Sequence, residues 1–390
     1  MNYSGSQENR NSSSFKEVLR DPEYRLVMLA AASCFMMSIL IHFPYPKTGA
    51  PFYSDIVGSW SRLNSSGKPE VVAGIPYVTY QFEYPTICGL ITWIGGWGSG
   101  GSEANFAAIE FAILFLFALL TAHFLFLFLK HLNLEHSRQL VYSVFAPSLL
   151  FFGAYNFDIV QTFFVLFSLY TFICRSKLKA SAISLGLGVV TKLSPIFLLP
   201  LFLEEISGNK GRVVYTALNG AVIAIFNIPF MVANYGVWYD GYKFLANYII
   251  EDSFLVWIFN SDTSIIAKYC SDILLAFALS AIYIALRQKP LLIRSFMVFG
   301  VLILFSTFAP PQLNIDLLPF FALIPIAPIS LFYLLEFANV AIILSYFNTS
   351  SGYASLPGMT QLFALARQIF LAVILLIHVK VLKFSRLRGK

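Results

Sequence analysis

The chain has 390 residues, of which 58% are hydrophobic and 17% are aromatic, while only 12% are charged. An average soluble domain is about 25% charged, and one or two soluble cores could not bury so much apolar surface. The formal net charge of +6 does not indicate nucleic-acid binding, because Lys and Arg fall in short clusters between apolar runs. The composition therefore predicts an integral membrane protein whose partners include membrane lipids and no nucleic acid.

The apolar runs predict an all-α polytopic membrane protein with about 12 transmembrane or re-entrant helices. Residues 1–25 form a polar N-terminal tail whose stretch 15–25 is expected to lie as a short helix on the membrane surface. Residues 26–379 form one multi-span domain, and residues 380–390 form a basic C-terminal tail. The predicted segments are 26–45, 105–129, 139–154, 157–174, 178–191, 195–206, 213–234, 264–286, 291–309, 313–327, 328–346 and 359–379.

The basic residues give these segments a predicted orientation. With the N-terminal tail in the cytosol, 19 of the 26 Lys and Arg residues lie on the inner side, as the positive-inside rule requires. Both termini are then cytosolic, and the protein is expected in the plasma membrane. The helix order after residue 310 is the least constrained, because the predicted inner turn at residues 324–329 contains no charged residue. The large outer loops are 46–104, 235–263 and 347–358.

Ionisable residues at the rim of a bilayer are costly to bury, so they are the first candidates for function. On this topology six of them collect on the outer side. Their convergence beneath a first outer loop that is long, polar and aromatic predicts a polar site there. The six are Asp55, Glu83, Asp158, Lys192, Asp252 and Asp316.

Two of these residues suit catalysis by their type and position. Asp55 comes soon after the first span, where a carboxylate can take a proton from an incoming hydroxyl as a general base. Aspartate is also a favoured cap for the helix that follows, and the spacing leaves both roles open. Lys192 precedes the helix-breaking Pro195, and a lysine at an opened helix end is well placed to meet a phosphate. The alternatives are a snorkelling lysine or an ion pair with Asp158, and phosphate contact is favoured slightly.

The first outer loop holds two further candidates for substrate binding. Glu83 suits a sugar hydroxyl or a metal ion, or it is an acid that favours the start of a helix after Pro85. Tyr84, like Tyr77 and Tyr80, suits stacking on a sugar ring. An aromatic belt at the membrane interface is the commoner role of such tyrosines.

Two more candidates follow later in the chain. Asp158 lies at the turn between two closely spaced spans, where it faces either the polar site or a buried turn. Gln312 follows two prolines that are expected to leave backbone carbonyls free at the outer edge. Its amide suits recognition of a hydroxyl, and a simple helix kink is the alternative explanation of this stretch.

These stretches resemble, in order, the sequence pattern of the GT-C membrane glycosyltransferases. They are most similar to glycosyltransferase family 87, which contains polyprenol-phosphate-mannose-dependent mannosyltransferases. Tyr-Ser-Asp at 53–55, Pro-Tyr at 76–77 and Glu-Tyr-Pro at 83–85 resemble the YSD, PY and EYP elements of that family. The ordered set of matches runs from about residue 53 to residue 319 and covers most of the chain.

Three later elements complete the resemblance. Asn-Phe-Asp at 156–158 resembles the family's N-x-D hairpin, and Thr-Lys-Leu-Ser-Pro at 191–195 resembles its TK-x-x-P element. Phe-Ala-Pro-Pro-Gln at 308–312 is similar to its FSPQY element, but Leu313 and Asp316 stand where the family usually has Tyr and Trp. The loop 247–253 also lacks the family's usual His and Arg, which leaves the transferred sugar open.

The resemblance implies a glycosyltransferase that moves a hexosyl group, with mannosyl as the first candidate, and that inverts the anomeric carbon at the outer face. The donor would be a polyprenyl-phosphate or dolichyl-phosphate sugar, and the acceptor a glycolipid or a glycan. It implies Asp55 as the general base and Lys192 as the counter-charge to the departing phosphate. Many relatives need no metal, so no metal or other cofactor is expected. Implied contacts to donor or sugar also come from Glu83, Asp158, Gln312 and Tyr84.

A multi-pass transporter of a lipid-linked or small polar substrate is the alternative. A third possibility is a non-catalytic partner in glycolipid assembly. A transporter should carry polar residues at mid-membrane depth in both halves, and Glu110, His123 and Glu336 are of this kind. The other polar candidates gather at the outer rim, and this favours the enzyme.

Overall fold

The computed structural model describes residues 15–45, 47–64, 74–248, 250–259, 265–324, 328–347 and 358–387. In these ranges the chain is helical and contains isolated β-bridges but no β-strand. The α-helices are α1 Phe15–Arg20, α2 Pro22–His42, α3 Asp55–Asn64, α4 Thr86–Gly98, α5 Glu103–His131, α6 Ser137–Gln139, α7 Pro147–Phe152, α8 Asp158–Ile173, α9 Leu178–Val189, α10 Leu199–Glu205, α11 Asn209–Ala246, α12 Val256–Phe259, α13 Ile265–Ala285, α14 Leu291–Phe305, α15 Leu318–Leu323, α16 Ile329–Tyr346 and α17 Met359–Leu387.

Six helices in the described ranges are long and apolar enough to cross a membrane. The prediction of a helical, polytopic membrane protein is therefore confirmed, whereas twelve spans are not. Three further apolar helices, α8, α9 and α14, have 12 to 16 residues, too few for a perpendicular span. The six long segments are Pro22–His42, Glu103–His131, Asn209–Phe244, Ile265–Ala285, Ile329–Tyr346 and Met359–Val379.

Prolines explain why three predicted segments are not continuous helices. A proline has no backbone N–H and clashes with the preceding turn, so it starts or breaks a helix. The segment 139–154 is split by a π-helical stretch, and a new helix begins at Pro147. Segments 195–206 and 313–327 each consist of a 3-10 turn followed by a short α-helix. Residues 325–327 of the last one lie outside the described residues.

The first outer loop contains more regular structure than the sequence predicts. Within the loop 46–104, α3 and α4 are helical, and α4 is apolar and packs against α5. The amphipathic α3 begins at Asp55, while a buried Tyr77 with a φ of +66° precedes α4. Its ring lies where a Cβ on Gly89 would stand, which explains the glycine in α4. Residues 65–73 lie outside the described residues.

The long helix α11 changes direction at Asn234, where the backbone is non-helical with a φ of −160°. The Asn234 side chain accepts a hydrogen bond from the Val237 N–H at 3.3 Å and donates one to the Val78 carbonyl at 3.0 Å. It therefore caps the second half of α11 and fastens it to the first outer loop. This break coincides with the predicted start of the second outer loop at residue 235.

Charged residues hold together the ends of α10, α14 and α15. Arg294 is fully buried in the first turn of α14 and forms ion pairs with Glu204 and Glu205 at the end of α10. Arg138 donates to the carbonyl oxygens of residues 321, 322 and 324, which α15 leaves without helical partners. The C-terminal end of α15 therefore lies at the same end of the bundle as Arg138, as the predicted helix order requires.

We predict that both termini face the cytosol, because the basic residues then lie on the inner side. The helix α17 continues to Leu387, so most of the predicted C-terminal tail is helical. The surface helix predicted over 15–25 ends at Arg20, and Asp21 caps the first span. Single cysteines at Ser4 and Arg388, which lie outside the described residues, should react with an impermeant maleimide only after the cells are opened. Labelling of either one on intact cells would contradict this orientation.

Candidate active site

A cavity of about 490 Å³ lies at one end of the helix bundle. Its volume is within the range of roughly 300–1,000 Å³ that is usual for small-molecule sites. Of the six residues that the family resemblance assigns to the site, Asp158 does not line the cavity and the other five do, namely Asp55, Glu83, Tyr84, Lys192 and Gln312. Segments that are distant in sequence thus meet at one place. The other lining residues are Tyr53, Pro85, Tyr155, Asn156, Leu193, Ser194, Phe244, Tyr248, Glu251, Asp252, Phe308, Pro310, Pro311, Leu313, Ile342, Ile343, Tyr346 and Phe347.

The Asp55 carboxylate is held in place by two hydrogen-bond donors. The Asn156 amide donates to Oδ2 at 2.7 Å, and the Tyr84 hydroxyl donates to the same oxygen at 3.0 Å. The Asn156 amide also lies 3.0 Å from the Tyr84 oxygen, so the three side chains form a closed triangle. A carboxylate oriented in this way on the wall of a cavity has the geometry that a general base needs.

The local backbone explains why Asp55 points into the cavity. Ser54, and not Asp55, caps helix α3, because the Ser54 hydroxyl oxygen accepts a hydrogen bond from the Val57 N–H at 3.2 Å. The Asp55 N–H donates to the Tyr155 carbonyl at 3.0 Å. This places Asp55 in the first turn of the helix, where the helix dipole favours a carboxylate. The alternative role of Asp55 as a capping residue is therefore wrong.

Tyr84 is positioned by the buried Tyr77. The Tyr77 hydroxyl lies 2.6 Å from the Tyr84 carbonyl oxygen and 2.9 Å from the Pro85 carbonyl oxygen. Tyr77 is therefore a structural residue, neither a stacking platform nor part of an interfacial belt. The Tyr84 ring packs edge-on against Phe157 at 5.6 Å between centroids. Tyr84 itself lines the cavity and orients Asp55, so its position suits a polar contact in the site.

Lys192 lies just after α9, before the 3-10 turn that begins at Ser194. Its ammonium group forms an ion pair with Asp158, whose side chain is fully buried, while the Lys192 side chain is 14% exposed and lines the cavity. The ion pair that the sequence left as an alternative is thus present. Asp158 is absent from the described lining residues and reaches the cavity only through Lys192. The pair presents one fixed cation to a ligand.

The stretch 310–312 differs from prediction in one respect. The Pro310 carbonyl accepts from the Leu313 N–H at 3.2 Å, and the Pro311 carbonyl accepts from the Asn339 amide at 2.8 Å. The carbonyls expected to be free at the outer edge therefore have partners inside the protein. Gln312 lines the cavity, as Glu83 does on the first outer loop, so both remain candidates for contacts with substrate.

Asp316 lies deeper than the sequence predicts. It is buried beneath the cavity, where the Gln161 amide donates to it at 2.5 Å and the Thr162 hydroxyl at 2.7 Å. Gln161 in turn accepts a hydrogen bond from Ser194 at 3.0 Å, next to Lys192 in the chain. Asp316 thus supports the floor of the site and is not among its described lining residues.

Glu251 and Asp252 form a second acidic part of the wall. The Glu251 N–H donates to the Thr307 carbonyl at 3.0 Å, and the Ala309 N–H donates to the Glu251 carbonyl at 3.1 Å. These bonds fasten the second outer loop to the segment before Gln312. Burial raises the pKa of Glu251, and the neighbouring Asp252 and Asp55 raise it further. Burial also raises the pKa of Asp252, while Arg367 opposes that shift.

Arg367 joins the elements that carry this wall. Its side chain is fully buried in α17 and donates to the Asp252 carbonyl at 2.7 Å and the Ala309 carbonyl at 2.6 Å. It also donates to the Asn339 side-chain oxygen at 3.3 Å. The sequence analysis did not select Arg367, although an arginine in the apolar run 359–379 was a usable signal.

We predict that Arg367→Ala lowers the stability of the protein by about 3 kcal/mol, because the buried carbonyls of Asp252 and Ala309 lose their donor. Arg367→Lys keeps the charge but loses the fork geometry, so its stability should lie between those of the parent and the alanine variant. Thermal unfolding in detergent measures the order of the three proteins. Equal stability of parent and Arg367→Ala would contradict this role.

No protein-family model matches the chain, and no curated protein matches it either. The likeness to family 87 therefore stays a prediction from sequence motifs.

Proposed function

We propose that the protein is a membrane glycosyltransferase that uses a polyprenyl-phosphate or dolichyl-phosphate sugar and glycosylates a glycolipid or a glycan. The observation that carries this proposal is the placement of an oriented Asp55 carboxylate and the Lys192 cation on the wall of one cavity. A transfer from a lipid phosphate needs these two functions, a base for the acceptor and a positive charge for the leaving phosphate. The topology predicted from the basic residues puts this cavity at the outer face.

The proposed reaction is a single displacement with inversion. The acceptor oxygen forms a bond to the anomeric carbon while the bond from that carbon to the phosphate oxygen breaks. The acceptor proton passes to Asp55, and the electron pair of the broken bond leaves with the lipid phosphate. Lys192 stabilises the charge that grows on this phosphate, and Asp158 holds the lysine in place. The transferred group is a hexose, with mannose the first candidate from the family resemblance.

The residues that favoured a transporter lie away from the cavity. Glu336 accepts hydrogen bonds from the Ser148 N–H at 2.8 Å and the Asn314 amide at 3.0 Å, and His123 lies 3.0 Å from the Tyr24 hydroxyl. Neither these two nor Glu110 is among the described residues that line the cavity. Glu336 and His123 thus hold helices together, and no second polar path is proposed.

The direct test is a transfer assay with purified protein and radiolabelled polyprenyl-phosphate sugars, with EDTA present since no metal is proposed. Membrane glycolipids from the natural host serve as acceptors. The product is measured as the radiolabel that mild acid no longer releases. Parallel proteoliposomes are tested for uptake of the same labelled compounds. Uptake without transfer, from every donor offered, would reject the enzyme in favour of the transporter.

A further inference from the structure

Glu251 is an unusual part of the cavity wall. Its side chain is only 7% exposed, yet it lines the cavity. The hydrogen bonds of Glu251 with other described residues all involve its backbone, and no ion pair to its carboxyl is found among them. Its carboxyl oxygens are not among the buried atoms that lack a partner, so they open onto the cavity, where a ligand can supply the donor.

The neighbouring acids do have partners. Asp252 accepts a hydrogen bond from Gln361 at 3.3 Å, and the positive charge of Arg367 stabilises its carboxylate. Asp55 is held by the two donors described above. Glu251 therefore differs from both, and its unused hydrogen-bonding capacity is directed at the space that a substrate would occupy.

The surroundings of Glu251 restrict the kind of ligand. Glu251 is bridged to Phe308, whose ring lies 4.5 Å from the ring of Tyr248, and both aromatic residues line the cavity. An aromatic wall beside a carboxyl suits the apolar face and the hydroxyl edge of a sugar. Besides Glu251, the described lining residues include three acids and one lysine, and the proposed reaction assigns that lysine to the donor phosphate. A carboxylate on the acceptor would therefore add negative charge to an acidic wall.

We propose that Glu251 binds a hydroxyl group of an uncharged sugar acceptor, on an acidic wall that disfavours acceptors with a carboxylate at that position. This inference rests on the proposed function, because it assigns the acceptor part of the cavity. The hydroxyl donates a hydrogen bond to the Glu251 carboxyl, while Lys192 and its surroundings remain for the donor phosphate. Glu251 is thus a specificity-determining residue, distinct from the proposed base Asp55.

The test uses two matched probes, methyl α-mannopyranoside and the corresponding methyl mannopyranosiduronate, whose binding to the full-length protein in nanodiscs is measured by saturation-transfer NMR. The parent protein should prefer the neutral probe. Glu251→Ala should weaken binding of the neutral probe by about 10-fold, the effect of one lost buried hydrogen bond. Glu251→Gln keeps a hydrogen-bond acceptor at the same position, so it should bind the neutral probe within about threefold of the parent.

A matched control is Glu103→Gln, which makes the same change at an exposed residue outside the lining set. It should leave both affinities unchanged. The inference is overturned if Glu251→Ala binds the neutral probe like the parent, or if Glu251→Gln loses as much neutral-probe affinity as Glu251→Ala. If the probes behave as expected but no lipid-phosphate donor supports transfer, the acceptor site stands and the proposed reaction falls.

Discussion

Lys192→Ala is expected to abolish use of the lipid-phosphate donor and to destabilise the protein at the same time. The substitution leaves the fully buried Asp158 carboxylate without its cation, and breaking a buried ion pair from one side costs about 3–5 kcal/mol. Loss of the cation also removes stabilisation of the leaving phosphate, an electrostatic effect worth about 10²–10³-fold in rate. A single alanine variant therefore cannot separate folding from catalysis.

The double variant Lys192→Met with Asp158→Asn separates the two effects. It removes both charges together, so most of the lost stability should return. Transfer from the lipid-phosphate donor should stay at the low level of Lys192→Ala, because no cation faces the cavity. Thermal unfolding and transfer rate are measured on the same preparations. Restoration of transfer in the double variant would show that Lys192 serves only to neutralise Asp158.

The fold could be predicted from the sequence where hydrophobic length decides it. All six long helices overlap predicted segments, because apolar runs of this length have few alternatives to a membrane-spanning helix. The prediction failed where helices are short and broken, as at Pro147 and between 313 and 327. There, neighbouring helices shield the backbone, and that shielding depends on tertiary contacts that no local pattern contains.

The candidate site, like the fold, could be predicted from the sequence only in part. The sequence placed Asp55, Lys192 and Glu83 on one side because charged residues in an apolar chain are easy to see. It could not show that Ser54 caps α3, since serine and aspartate are equally good caps at adjacent positions. It also could not show that the second outer loop bonds to residues 307–309, because that contact joins segments about 50 residues apart.

Asp55→Asn is the change with the largest expected effect on rate. The asparagine keeps the size of the side chain, and its carbonyl oxygen can accept the hydrogen bonds that now come from Asn156 and Tyr84. It cannot take a proton from an acceptor hydroxyl. Transfer should therefore fall by about 10²–10⁴-fold, the usual contribution of a general base, while the unfolding temperature stays close to that of the parent.

The control for this prediction is Ser54→Ala, one residue earlier. It removes the cap of α3 and should cost about 1 kcal/mol of stability, but it leaves the base in place and should retain most of the transfer rate. Loss of transfer in Asp55→Asn together with retained transfer in Ser54→Ala would separate catalysis from helix capping. Full activity in Asp55→Asn would move the base to another acid of the same wall, and Glu83 is then the residue to substitute, because it lines the cavity on the same loop as Tyr84.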